Sequence, residues 1–190
     1  MWFDKFVMRK LGATVQAPGD NANALIDGDP NTYWSAGEPP RGRGRSMTAL
    51  RPHEVVIHFP KPVEMTGLAL MPRQNDRDHQ GDIRGYVIAV SDDGQSWREW
   101  SRGELASTWE PQELWFTKIL TTRYLKFTSQ SGFGADPSSA LAELAVLYAG
   151  PKLADNIAAP VEYRRSKSTS TDIDEGAGSP PTTKPPRAKP

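Results

Sequence analysis

The chain has 190 residues, 37% of them hydrophobic and 24% charged, which is typical of one folded domain with tails. It has no cysteine, which excludes disulfides and thiolate metal sites, and its 23 basic and 23 acidic residues balance, which argues against a nucleic-acid or anionic-membrane partner recruited by net charge. No apolar run reaches the roughly 18 residues of a membrane span, and the charged residues 1–10 do not resemble a signal peptide.

Short strands separated by turns account for the central part of the chain. Residues 55–59 alternate with period two, which predicts a half-buried strand with His58 on its exposed face. Gly85–Ser91 is a β-branched run that stops at Asp92-Asp93-Gly94, a hairpin signal, and Trp97 and Trp100 follow on the predicted return strand. Further strands are predicted at 66–71, 113–119, 124–128 and 141–148. The pattern predicts an all-β, antiparallel β-sandwich.

The composition changes sharply near residue 150. Residues 151–190 are rich in proline, serine and threonine and contain one aromatic residue, Tyr163. Such a segment cannot bury enough apolar surface to offset its chain entropy. We therefore predict a lead-in at 1–11, a folded domain at 12–150, and a disordered linker or tail at 151–190.

One turn carries a high density of oxygen ligands. Residues 24–34 read ALIDGDPNTYW, and Asp27, Asp29, Asn31 and Thr32, with turn carbonyls, suit a hard cation such as Ca²⁺. Pro30 and the absence of flanking helices argue against an EF-hand. The alternative is that the same side chains close a tight turn without metal.

This turn resembles the A-x-DG-x-x-x-T-x-W signature of discoidin domains, also called F5/8 type C domains. Further resemblances follow in the family's order at 52–59 (PHEVVIHF), 61–74 (KPVEMTGLALMPRQ), 81–97 (GDIRGYVIAVSDDGQSW), 123–126 (RYLK) and 141–146 (LAELAV). The PRQ at 72–74 is most similar to family 32 carbohydrate-binding modules, which are jelly-roll, galactose-binding-like modules appended to secreted glycoside hydrolases.

The resemblance implies a structural Ca²⁺ and a glycan site in the loops at one end of the sandwich. The implied metal set comprises Asp27, Asp29, Thr32, Glu143 from the last strand, and Leu25. The implied ligand set comprises Arg73 in the PRQ motif, Gln80, the stacking aromatic Phe133, His79 and Ser35. An ion pair of Arg73 with Asp76 or Asp78 is the alternative for the arginine, and packing on a neighbouring loop is the alternative for Phe133.

Two features depart from the galactose-binding pattern. Ser35 stands where galactose-binding members often carry histidine, and the following loop is basic at Arg41, Arg43 and Arg45. This loop is expected to be solvated, although it suits an acidic glycan. Of the aromatic residues, Trp34, Trp97, Trp100 and Trp115 are assigned to the core.

Nothing in the sequence indicates an enzyme. The three histidines lack zinc-like spacing, and no nucleophile elbow or phosphate-binding loop is present. We predict a non-catalytic carbohydrate-binding module that captures a terminal sugar. It is expected outside the cell or in the periplasm, alongside other domains of a longer secreted protein. The alternatives on this fold are a cell-surface or protein adhesion module and an anionic-membrane binder.

Overall fold

The computed structural model describes residues 7–37, 51–135 and 137–148, which form strands, turns and two short helices. In chain order these are helix α1 (Val7–Lys10), strand β1 (Thr14–Gln16), a 3₁₀ helix (Ala22–Ile26), β2 (Trp34–Ala36), β3 (His53–Met71), β4 (Gly85–Ser91), β5 (Arg98–Glu104), β6 (Gln112–Ser129), β7 (Ser139–Leu141) and β8 (Glu143–Tyr148). All of the strand pairs are antiparallel.

Two long strands, β3 and β6, each belong to two layers. The first half of β3 pairs with the second half of β6 in the five-stranded order β1-β3-β6-β4-β5. After a register shift between His58 and Val63, the second half of β3 lies between the first half of β6 and β8. A separate β2–β7 pair completes the fold. The predicted antiparallel β-sandwich is therefore confirmed.

One hydrophobic core fills the space between the two layers. Ile57 and Phe127 come from the five-stranded layer, and Leu68 and Leu144 from the three-stranded layer; all four side chains are fully buried. The core also includes Val7 and Met8 of α1 and Trp34 of β2. Since strand side chains alternate between faces, these residues occupy the inward positions of their elements.

The bends in β3 and β6 give the sandwich two unlike ends. At the bend end, a groove of about 670 Å³ is lined by Lys10, Leu11, Gly12, Pro60–Glu64, Thr121 and Tyr148. At the loop end, β3 ends at Met71, and β6 both begins at Gln112 and, after its bend, ends at Ser129. The loops at 72–84, 105–111 and 130–138 therefore emerge together, at the end opposite the bends.

Strands are present at the predicted positions, with two differences. Gly85–Ser91 has the predicted bounds, whereas the strands predicted at 55–59 and 66–71 are continuous in β3, and those at 113–119 and 124–128 are continuous in β6. The strand predicted at 141–148 is divided into β7 and β8, which pair with different strands. Pro60 and Pro62 lie where the register shifts, and the strand bends there instead of ending. The helix α1 lies within the predicted lead-in, and the tail at 151–190 lies outside the described residues.

Two surface predictions need correction. Trp115 was predicted to be in the core, but it is 54% exposed. On β6 the inward positions near it belong to Leu114 and Phe116, both of which pack against the core. His58 was predicted to be exposed, but it is half-buried and its ring stacks on Tyr124 with ring centroids 4.6 Å apart.

Candidate functional site

The Asp27 turn, residues 27–32, is closed by its own side chains. Asp27 Oδ1 accepts the backbone N–H of Asp29 at 2.8 Å, and Asp27 Oδ2 accepts the Thr32 hydroxyl at 2.8 Å. Asp29 Oδ1 accepts the backbone N–H of Asn31 at 3.0 Å. Gly28 has a φ of +81°, which a residue without Cβ adopts freely. The turn holds its carboxylates in fixed places.

Glu143, at the start of β8, places its carboxyl against the Asp27 turn. It is 1% exposed, and burial together with a hydrogen bond to the Asp27 carboxyl raises its pKa to about 8. Backbone N–H groups of Gly28 and Asp29 bond to its carboxyl and oppose that shift. Its Oε1 has no hydrogen-bond partner among the described residues. Two adjoining carboxyls with an unsatisfied buried oxygen suit a bound divalent cation.

The residues present fit Ca²⁺ better than a transition metal. Across the described residues, no three His, Cys, Asp or Glu side chains surround one position. The predicted set therefore depends on the carboxyls of Asp27 and Glu143 and on the Thr32 hydroxyl, which bonds to Asp27. A contribution from the carbonyl of the buried Leu25 stays a prediction. Hard oxygen ligands of this kind are what Ca²⁺ prefers.

The Arg73 loop, residues 72–83, follows β3 at the loop end and is organised by one arginine. Arg73 is only 6% exposed. Its Nη2 donates to Asp76 Oδ2 at 2.5 Å and to the carbonyl of Gln80, and its guanidinium lies 5.4 Å from the centre of the Tyr33 ring. The pairing with Asp76 given as an alternative is therefore present, but the arginine is buried and not on the surface.

The same loop presents His79 in a fixed orientation. Its backbone has a φ of +52°, and its Nδ1 donates to Asp82 Oδ2 at 2.8 Å. Asp82 is 4% exposed, and burial raises the pKa of its carboxyl against the opposing effects of His79 and Arg73. Because Nδ1 is engaged by Asp82, Nε2 is the ring nitrogen left to meet a ligand.

Phe133 is joined to the Arg73 loop through its backbone. Its N–H donates to the Asp82 carbonyl at 2.9 Å, and its carbonyl accepts from Gly81 at 3.3 Å. The next residue, Gly134, lies directly against the Gln80 side chain and has a φ of +74°, a conformation that residues with a Cβ adopt only with strain. Phe133 is half-buried. The structure thus brings Arg73, His79, Gln80 and Phe133 together in one loop cluster.

Ser35 stands apart from this cluster. It is 7% exposed in β2, where its backbone pairs with Ala140 and bridges to Asp20. Two residues earlier, Tyr33 makes the contact with Arg73. The basic positions Arg41, Arg43 and Arg45 lie outside the described residues.

Sequence reasoning did not assign three residues that the structure adds to the cluster: Tyr33, Asp82 and Trp109. Trp109 is 48% exposed, and its ring centroid lies 5.5 Å from that of His79. A tryptophan within the polar run STWEPQ was a signal of the same kind that singled out Phe133.

The chain belongs to the F5/8 type C domain family, whose sequence model matches residues 11–144. Among solved structures it is similar to a family 32 module, CpGH89CBM32-5 from Clostridium perfringens, in complex with GalNAc-β-1,3-galactose. The TM-score is 0.62 at 23% identity, over 75% of this chain and 98% of that one.

Two further structures show the same fold. The family 32 module of NanJ from Clostridium perfringens, in complex with galactose, has a TM-score of 0.59 at 21% identity, over 74% of this chain and 96% of that one. A pectin-binding carbohydrate-binding module has a TM-score of 0.54 at 20% identity, over 73% and 91% of the two chains. At these identities the likeness establishes the jelly-roll fold.

Proposed function

We propose that this domain is a non-catalytic carbohydrate-binding module whose loop end captures a sugar of a glycan. The observation that carries the proposal is the convergence of Arg73, His79, Gln80 and Phe133 on one loop cluster. Solved relatives on this fold are described in complex with GalNAc-β-1,3-galactose and with galactose, which supports the same class of ligand here. A longer secreted, glycan-active parent protein is part of the proposal.

Each residue of the cluster has a task that follows from its chemistry. The five donors of a guanidinium let one arginine bridge several acceptors. Arg73 therefore forms the floor of the site, where it holds Asp76 and the Gln80 carbonyl and meets sugar hydroxyls from below. Gln80 and His79 Nε2 add hydrogen bonds at the rim. The Phe133 ring packs on the C–H face of the sugar and leaves its hydroxyls free.

A structural Ca²⁺ at the Asp27 turn completes the proposal. Asp27, Thr32, Glu143 and the Leu25 carbonyl would hold it, whereas Asp29, whose carboxylate accepts from Asn31, would contribute by closing the turn. The bound ion supplies positive charge between the adjoining Asp27 and Glu143 carboxyls. Since β8 and the Asp27 turn are far apart in sequence, this contact ties the first and last parts of the domain together and stabilises the fold.

A glycan array with added Ca²⁺ tests the proposal directly. The wild type should bind a defined set of glycans that share one sugar. Phe133→Ala and Arg73→Lys should each lose most of that binding, because one removes the ring and the other the guanidinium fork. Trp115→Ala, which truncates an exposed tryptophan on the sheet, is the matched control and should bind like wild type. Circular dichroism verifies that every variant is folded.

An adhesion module is the second candidate, because one observation favours it. Trp115 and Ile119, both on β6, are 54% and 60% exposed. Large apolar side chains exposed close together in the chain can form part of a protein-binding surface. If no glycan binds at high module density while Trp115→Ala reduces attachment to cells, the adhesion function replaces the glycan proposal.

A further inference from the structure

Trp109 lies on the 105–111 loop, which is held by hydrogen bonds from Gln112 and from the Arg73 loop. The Gln112 side chain closes the 105–111 loop by accepting from Ala106 N at 2.7 Å and donating to the Ala106 carbonyl at 3.0 Å. The Trp109 carbonyl accepts from Gln74 Nε2 at 3.0 Å, which fastens it to the Arg73 loop. A half-exposed indole is therefore held in place by its backbone.

The indole stands beside a second fixed ring. His79 and Trp109 have ring centroids 5.5 Å apart and an interplanar angle of 41°, so they form two inclined walls. Asp82 fixes the imidazole through Nδ1, which leaves Nε2 for a ligand hydroxyl. Rigid aromatic surface next to a fixed polar atom binds a sugar at little conformational cost.

The other exposed tryptophan shows that exposure alone does not create such a surface. Trp115 is slightly more exposed, but it projects from the sheet, and its indole N–H donates to Glu113 of its own strand at 3.2 Å. Trp109 differs because its neighbour is a residue of the candidate glycan site.

We propose that Trp109 and His79 form a second sugar-contact surface, next to the one at Phe133 and Gln80, so that the module binds glycans of two or more linked sugars. The inference rests on the proposed function. His79 and Gln80 are consecutive, and Phe133 is bonded through its backbone to Gly81 and Asp82. The two surfaces therefore share one loop segment, and adjoining sugars of a single glycan can occupy both.

Isothermal titration with matched sugars tests the inference. The pairs are galactose with GalNAc-β-1,3-galactose, N-acetylglucosamine with chitobiose, and galacturonate with digalacturonate. In the pair that binds, the wild type should prefer the disaccharide. Trp109→Ala should weaken disaccharide binding roughly five- to tenfold and leave monosaccharide binding within about twofold. Trp109→Tyr, which keeps an aromatic face, should restore most of the loss.

Two further variants separate the outcomes. His79→Asn, chosen because asparagine tolerates a positive φ, should weaken binding of both sugars, because His79 Nε2 also contacts the first sugar, and Trp115→Ala should change neither. Equal affinity for both members of a pair, unaffected by Trp109→Ala, overturns the second surface but leaves the proposed function standing. Failure of the wild type to bind any of the six sugars contradicts the proposed function and this inference together.

Discussion

The Asp27 turn and the Arg73 loop are both rich in Asp, Asn and Gly, yet their polar groups bond to different kinds of partner. In the Asp27 turn the carboxylate oxygens bond to the turn's own backbone and face Glu143. In the Arg73 loop a buried arginine bonds to Asp76 and to the Gln80 carbonyl, while Asp82 fixes the ring of His79. A dense run of Asp, Asn and Gly therefore indicates neither a metal site nor a ligand site until the partners of its oxygens are known.

Removal of the carboxyl charge at position 143 should have the largest effect on stability, because it abolishes stabilisation of the Asp27 turn by Ca²⁺. Ca²⁺ at about 100 times its Kd should stabilise the wild type by about 2.7 kcal/mol, which raises Tm by several degrees. In Glu143→Gln this increase should vanish, because the amide lacks the charge that the cation needs. Differential scanning calorimetry with Ca²⁺ and with EDTA measures it. A full Ca²⁺ response in Glu143→Gln would rule out this ligand set.

The Arg73 loop should be unaffected by Ca²⁺ but sensitive to its arginine. Arg73→Ala removes charge-assisted hydrogen bonds to Asp76 and to the Gln80 carbonyl, and we expect a loss of about 1.5–3 kcal/mol in the free energy of unfolding. The matched control is Arg84→Ala, since the Arg84–Glu104 pair is exposed and contributes about 1 kcal/mol or less. Urea unfolding measures both. Equal losses would show that Arg73 does not organise the loop.

Asp82 gives the Arg73 loop a pH dependence of known sign. Its folded-state pKa is raised by burial, so its contribution to stability is fullest below the unfolded pKa and declines as pH rises through the folded value. The stability of wild type relative to Asp82→Asn should therefore fall from pH 3 towards neutrality. The groups facing it are His79, Arg73 and Asp76. A difference that rises with pH would contradict this assignment.

Asp93 should have the smallest effect on stability, and its pH dependence should have the opposite sign to that of Asp82. Its exposed carboxylate accepts from the backbone N–H groups of Gln95 and Ser96, both at 2.8 Å, and these bonds lower its pKa. Its contribution is present above the unfolded pKa and is lost as pH falls. Asp93→Asn should therefore lose a little stability at pH 7, converge with wild type in acid, and keep the whole Ca²⁺ response. Parallel curves for wild type and variant would refute the lowered pKa.

Local sequence patterns predicted the fold well because they depend on local chemistry. The bounds of Gly85–Ser91 follow from a β-branched run that ends at a tight turn. Burial of Trp115 could not be predicted in the same way, because an aromatic residue suits either face of a strand. Only the inward positions of Leu114 and Phe116 decide which face Trp115 occupies.

The candidate site was predictable only residue by residue. Motif position placed Arg73, Gln80 and Phe133 in loops at one end, but no pattern shows that Asp76 and the Gln80 carbonyl share one guanidinium. Trp109 was missed as a site residue because 30 residues separate it from His79. This contact arises because Leu70 of β3 pairs with Gln112 of β6, which places the 72–84 and 105–111 loops side by side.

The groove at the bend end has a consequence for how the module is displayed. Lys10 of the first helix and Tyr148 of the last strand line the same groove, so both lie at the bend end, away from Arg73 and Phe133. A support coupled near either position would leave the loop end accessible to a large glycan. Many copies immobilised in this way would combine weak single contacts into multivalent binding.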